Sequence, residues 1–240
     1  MCLDDRSPGR KEVKPGSTAC CLIRQGERLF ADGSICYQNW QSCMTCHPDA
    51  RNDGMRWDLL NDGIGNPKKT RSMVDSFKTS PVMSMGVRAD AGVAVRAGFR
   101  FILFTEQPAA YHSAVDAYLK SLTPDVSPYR DASGNLSASA KRGKDIFFGK
   151  AGCGHCHSGP LYTNLKGYRV ISPAEFDKPD DKFITPKLVE LWRTGPYLHD
   201  GRAATLKDVL TTYNKGDRHG MTSKLSAQEM NDLIMFLKSL

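Results

Sequence analysis

Two five-residue stretches carry the most specific chemistry in this chain: Cys43-Met44-Thr45-Cys46-His47 and Cys153-Gly154-His155-Cys156-His157. In each, two thiols stand three positions apart and a histidine follows the second. That spacing lets both thiols add across the vinyl groups of one haem, with the histidine held against the iron as its proximal ligand. A thioredoxin-like redox pair needs neither the trailing histidine nor a second copy. Four thiolates can also hold zinc, but Cys46 and Cys153 are 107 positions apart, unlike a compact zinc site. The pattern therefore predicts two covalently bound haem c groups, one on Cys43, Cys46 and His47, the other on Cys153, Cys156 and His157. His155 is read as filler between the second pair of thiols.

Each motif needs helices to enclose its haem, and the chain supplies them twice. The first unit runs from Gly26-Glu27-Arg28-Leu29-Phe30, through the first motif, to a helical run over Tyr111 to Leu122. The second starts at Arg142-Gly143-Lys144-Asp145-Ile146-Phe147, passes the second motif and ends in Phe236-Leu237-Lys238-Ser239-Leu240. A further helix is expected from Ala91 to Leu103, and another from Leu206 to Tyr213. Ser226 and Glu229 have capping-box spacing, and Met230, Leu233, Ile234 and Leu237 then fall on one helical face. Gly54 to Lys69 reads as loop. Pro124, Pro128 and Gly134 interrupt any helix across Thr123 to Asn135, which places a boundary near Gly134. The fold class expected is mainly α, with two cytochrome c-like haem domains related by internal duplication. They cover residues 26–134 and 135–240, behind an N-terminal extension, 1–25.

Composition bounds the alternatives. The formal charge is +7, but Lys and Arg are scattered with no dense basic tract, which argues against nucleic-acid binding. No apolar run reaches the roughly 18 residues of a membrane span. Met1 is followed by Cys2, Asp4, Asp5 and Arg6 rather than an apolar core, so no signal peptide is visible. Haem attachment of this type implies an exported, periplasmic setting, and the chain is read as a processed or trimmed piece of a longer precursor. In that oxidising setting Cys2, Cys20, Cys21 and Cys36 are free to form disulfides. Cys36 is expected to pair with Cys20 or Cys21, whereas adjacent Cys20 and Cys21 are poorly placed to pair with each other. The connectivity stays open.

The sequence resembles the bacterial di-haem cytochrome c peroxidase family that includes the MauG enzymes. The resemblance covers about residues 24 to 240. It rests on both haem motifs, Asp53-Gly54, Asn66-Pro67 with Thr70, the run Thr194-Gly195-Pro196-Tyr197-Leu198-His199-Asp200-Gly201-Arg202, and Ala204 to Val209 after it. Within the family it looks most like a branch with Cys-His-Pro-Asp-x-x-x-Asp-Gly in the first half, members of which are sometimes fused behind a β-propeller.

The resemblance implies a division of labour. The N-terminal haem meets hydrogen peroxide, and the six-coordinate C-terminal haem passes electrons from a small cytochrome or copper protein. No histidine lies between His47 and His112, so the first iron is expected to be open, with Met85, and behind it Met55 and Met83, as rival axial ligands. Glu106, 20 positions after Gly86, matches the family's distal acid–base; Gln107 and Arg88 are its expected assistants. For the second iron, counting 14 residues beyond His199 lands on Tyr213, with Met221 and His219 as rivals. Asn66, Thr194 and Pro196 match a calcium site of the family, Thr194 and Pro196 through backbone oxygens. One departure stands out. Where many members have a tryptophan before Asp-Gly-Arg, this chain has Ser84-Met85-Gly86-Val87-Arg88; Trp40, Trp57 and Trp192 lie elsewhere. Three functions compete: peroxide reduction, electron transfer as a subunit or domain of a larger redox complex, and MauG-like oxidation of a partner protein. A homodimer is compatible with each.

Overall fold

A glycine at a helix crossing organises each half of the molecule. The computed structural model describes residues 17–59, 65–169 and 173–240. It divides into two compact units, one made of residues up to Met55 with Thr70–Asp125, the other of Arg56–Lys69 with Val126–Leu240. In the first unit, α1 (Thr18–Ala31) packs on α4 (Ala109–Ser121), with α2 (Cys43–Cys46) and α3 (Ala91–Phe101) beside them. A Cβ on Gly26 would stand 1.9 Å from the Ala114 carbonyl oxygen, so only glycine permits this approach. In the second unit, α5 (Ala138–Phe148) packs on α7 (Ala227–Lys238), and a Cβ on Gly143 would stand 1.9 Å from the Asp232 carbonyl oxygen. One turn further along, Phe30 meets Tyr118 at 5.4 Å and Phe147 meets Phe236 at 5.3 Å between ring centres. The Gly-x-x-x-aromatic spacing places both residues on one face of the first helix, and the partner helix answers at the same spacing.

The helix starts follow from local chemistry. Ser17 caps α1 through Cys20 N, Asp90 caps α3 through Val93 N at 2.8 Å, and Ser137 caps α5 through Ala140 N. At α7, Ser226 N donates to Glu229 Oε2 at 2.7 Å and Glu229 N to Ser226 Oγ at 3.2 Å, the capping box expected there. The other elements are α6 (Leu206–Leu210) and two antiparallel strand pairs, β1 (Arg56–Trp57) with β2 (Lys68–Lys69) and β3 (Gly167–Tyr168) with β4 (Phe183–Ile184). The fold is mainly α, as expected. Gly54 to Lys69 is not all loop, because β1 and β2 close it as a short ladder.

The duplication reaches further than the helices. Asp75 and Glu190 are both buried in the left-handed region, at φ 57° and 55°. Each pairs with a base three residues on, Lys78 and Arg193, at 2.5 Å. A single bridge follows in each unit, Val82 with Arg88 and Tyr197 with Ala203, and then a cap, Asp90 or Thr205, that opens the next helix.

The boundary differs from the position near Gly134. The compact units part between Asp125 and Val126, because Ser127 Oγ donates to the Lys238 carbonyl at 2.6 Å and Arg130 Nε to the Ser239 carbonyl at 2.8 Å. The proline-containing linker is thus fastened to the end of α7. Seven cysteines are described and none is in a disulfide. The expected pairing of Cys36 does not occur: Cys36 is buried in the first core, while Cys21 is exposed on α1. Cys2 lies outside the described residues.

Candidate haem sites

Both attachment motifs fold into a single turn. His47 N donates to the Cys43 carbonyl at 3.0 Å and His157 N to the Cys153 carbonyl at 2.9 Å. That i to i+4 closure brings the thiols and the imidazole of each motif to one side of the turn. Cys43 packs against the first core and Cys153 against the second. Burial pushes the Cys43 thiol up to about 12 and the Cys153 thiol up to about 11. Both thiols are therefore neutral and face apolar surroundings, as the walls of a haem cleft should.

The two proximal histidines are oriented by the same device. His47 Nδ1 lies 3.0 Å from the Arg51 carbonyl oxygen, and His157 Nδ1 lies 2.9 Å from that of Tyr162. Burial lowers both imidazoles below their ordinary range, which keeps them neutral. A carbonyl on Nδ1 fixes the tautomer with the proton there and leaves Nε2 as the metal-binding atom.

The far side of the second unit holds a third imidazole. The rings of His157 and His219 are 6.2 Å apart, centre to centre, with planes at 50°. These are the two rings that would hold the second haem iron. Burial and the neighbouring His157 push His219 down to about 4, so it too is a neutral, ligand-competent ring. Its Nδ1 is buried without a hydrogen-bond partner. The loop carrying it is held firmly. Buried Asn214 accepts from His219 N at 2.7 Å and donates through Nδ2 to the Gly220 carbonyl at 2.8 Å and to Thr222 Oγ1 at 2.7 Å. Met221 N donates to the Ala151 carbonyl at 2.9 Å. Gly220, at φ 90°, passes so close to the attachment turn that a Cβ would lie 3.4 Å from Cys153 Sγ.

The rivals for this position are placed elsewhere. Tyr213 donates its hydroxyl to the Arg202 carbonyl at 3.0 Å, with the Arg202 guanidinium 5.2 Å over its ring. The chain leaves α6 after Leu210, so Tyr213 is turned back onto the Pro196–Arg202 loop. Met221 is 57% exposed. Asn214 and Gly220, which position His219, carry no signal in a reading based on side-chain chemistry.

The first unit lacks this arrangement. Its ring pairs are Phe30 with Tyr118 and Phe99 with His112, so among the described residues no imidazole faces His47. Met85 and Met83 are half-buried, and Met55 is 57% exposed. Arg71, which spacing did not single out, donates to the Met83 carbonyl at 3.0 Å. Arg88 is half-buried and accepts from Val82 N at 2.9 Å through its carbonyl. Gln107 Nε2 donates to Thr105 Oγ1 at 2.8 Å and to the Ile35 carbonyl at 3.4 Å, close to buried Cys36. Glu106 does not occupy a distal pocket. Its side chain is 81% exposed and 3.6 Å from Arg100 Nε, because Phe104 takes a left-handed conformation after α3 and turns the chain outward.

The expected calcium ligands do not fit a divalent cation. Asn66 is buried and Thr194 is half-buried, but the Thr194 carbonyl accepts from the ammonium of Lys69. Among the described residues no group of three or more His, Cys, Asp or Glu side chains could hold a metal ion.

No protein-family profile matches the chain. The γ subunit of hydrazine synthase from Kuenenia stuttgartiensis is 28% identical over 274 residues, spanning 91% of this chain and 77% of that protein. The methylamine utilization protein MauG of Methylorubrum extorquens is 30% identical over 277 residues, again spanning 91% and 77%. Among solved structures, Kuenenia stuttgartiensis hydrazine synthase superposes with a TM-score of 0.83 at 25% identity, covering all of this chain and 95% of that one. Two haem-attachment turns on duplicated helical units, with these relatives, show that the chain belongs to the di-haem cytochrome c peroxidase/MauG family and is a di-haem c-type oxidoreductase.

Proposed function

We propose that the two haems of this protein have different tasks, set by what stands opposite each proximal histidine. The second, between His157 and His219, is the electron-transfer centre. The first, on His47, has an open face and reduces hydrogen peroxide with electrons delivered through the second. The observation that carries this reading is the 6.2 Å pair of facing imidazoles in one unit and its absence among the described residues of the other. When bound, haem supplies one-electron redox chemistry and an iron that accepts a small oxidised ligand. The chain supplies orientation. Arg51 holds the His47 ring by its carbonyl, Asn214 holds the His219 loop, and Cys43 and Cys153 pack against two apolar cores. The donor is a small cytochrome or copper protein, and haem attachment of this type places the protein in an exported, oxidising compartment.

A second reading has specific support. Glu106 is at the surface, so no acid–base is in place at the position expected of a peroxidase. The likeness to hydrazine synthase spans 95% of the matched chain. The chain then acts as the di-haem subunit of a larger redox assembly, and its open iron handles another small oxidised substrate. The deciding experiment adds peroxide to the fully ferric and the half-reduced holoprotein and follows the haem spectrum and oxidation of a reduced cytochrome donor. Catalytic donor oxidation supports the peroxidase. No reaction in either state rejects it and leaves the subunit reading.

A further inference from the structure

The sequence keeps the residues of a family calcium site, and the structure puts an ammonium there instead. We propose that Lys69 is a built-in cation that replaces the divalent ion, so that the second unit is held together without calcium.

Three observations converge on the residue. Its Nζ donates to the Thr194 carbonyl, one of the oxygens the metal would need. Its backbone N–H donates to the His199 carbonyl at 2.7 Å, so both ends of Lys69 grip the Thr194–Gly201 loop. Its stem lies along the same loop, since a Cβ on Gly201 would stand 3.8 Å from Lys69 Cγ. The neighbouring lysine adds to the effect. Lys68 Nζ is 3.4 Å from the Asn66 carbonyl oxygen and 3.9 Å from Asp177 Oδ1, and Asp177 Oδ2 is 2.9 Å from His199 Nε2. The carbonyls of Asn66 and Thr194 thus each have an ammonium as partner, and Lys68 adds an ion pair with the carboxylate of Asp177.

The chemistry differs from a metal site in kind. Calcium takes six to eight oxygens at about 2.3–2.6 Å and can be stripped by a chelator. An ammonium has three donors and one charge, needs fewer carbonyls, and is covalently part of the chain. A divalent ion brought to Thr194 would meet Lys69 at close range, and the two like charges there repel. The exchange trades affinity for permanence: the join between β2 and the Thr194–Gly201 loop does not depend on the free calcium around the protein.

The test uses the di-haem holoprotein. Thermal unfolding and calorimetric titration are run with calcium chloride and with a chelator, on wild type and on Lys69→Met, which keeps the length of the side chain and removes the charge. Wild type should take up no stoichiometric calcium and should unfold at the same temperature in both. Lys69→Met should unfold lower by on the order of 5 °C without calcium and recover part of that loss when calcium is added. A wild type that binds one calcium per chain, or unfolds earlier in chelator, overturns the proposal, and this arm needs no variant. A Lys69→Met protein that is unaltered overturns it as well. One that is destabilised but indifferent to calcium reduces Lys69 to an ordinary anchor and overturns the replacement.

Discussion

The two units solve the same problem identically on one side and differently on the other. On the proximal side, each histidine is held by a backbone carbonyl at Nδ1, that of Arg51 in the first unit and of Tyr162 in the second. In the second unit the ring of His219 lies 6.2 Å from that of His157, while among the described residues of the first unit no second imidazole pairs with His47. A duplicated fold can hold its cofactor by shared backbone geometry and still give each copy its own chemistry through one loop. The structural half of the repeat is backbone hydrogen bonding, which tolerates sequence drift. The functional half is a single side chain.

The largest expected effects test the shared half. Replacing Cys153 and Cys156 with serine should remove one covalent haem, leaving one per chain in a pyridine haemochrome assay. The matching change at Cys43 and Cys46 should remove the other. Two haems retained after either change would break the equivalence. Next come the crossings. Gly26→Ala and Gly143→Ala each force a Cβ to 1.9 Å from a carbonyl oxygen, and each should cost about 3 kcal/mol or more in chemical denaturation. A much smaller loss at one of them would show that its unit packs less rigidly than the other.

Intermediate effects sharpen the difference. His219→Met should raise the midpoint potential of the second haem, since a thioether favours ferrous iron, and leave the first unchanged in a redox titration. The crossings also differ in charge. Asp232 stands where the first unit has Ala114, and hydrogen bonds from Arg142, then Ser139, lower its carboxyl to about 2. A carboxyl depressed in the folded state stabilises above its unfolded value and loses that contribution as pH falls through the folded one. The second unit should therefore lose stability between about pH 4 and pH 2. Asp232→Asn should be less stable at neutral pH and flat across that window, as acid titrations of the two proteins would show. The smallest effect is expected at Glu106. An exposed carboxylate beside Arg100 should change turnover less than about two-fold when made Gln; a strong loss would return it to the distal site.

The parts legible in the sequence are those where covalent or local chemistry dictates spacing. Thioether attachment fixes Cys-x-x-Cys-His, and the Ser226 and Glu229 capping box marks its helix to the residue. The second axial position was not legible by counting. Tyr213 has the right distance from His199 along the chain, but α6 ends at Leu210 and the Tyr213 hydroxyl donates to the Arg202 carbonyl, whereas the Asn214 turn sets its rival His219 beside His157, a placement that counting does not show. Glu106 fails for a similar reason, because the left-handed Phe104 turns it to solvent. The paired Asp75 and Glu190 were missed because the repeat keeps a buried acid and an i+3 base while changing the identity of both. Asn66, Thr194 and Pro196 are all in place, but the contact of the Thr194 carbonyl with the Lys69 ammonium joins residues far apart in the chain and is not legible from spacing.

The central claim is that one iron is closed by two imidazoles and the other is open. Low-temperature EPR of the fully ferric holoprotein, repeated after adding peroxide, tests it most directly. The account predicts one low-spin signal of bis-imidazole type, lost in His219→Ala, and one high-spin signal that changes with peroxide. Two low-spin haems indifferent to peroxide, or a low-spin second haem unaltered by His219→Ala, would contradict it.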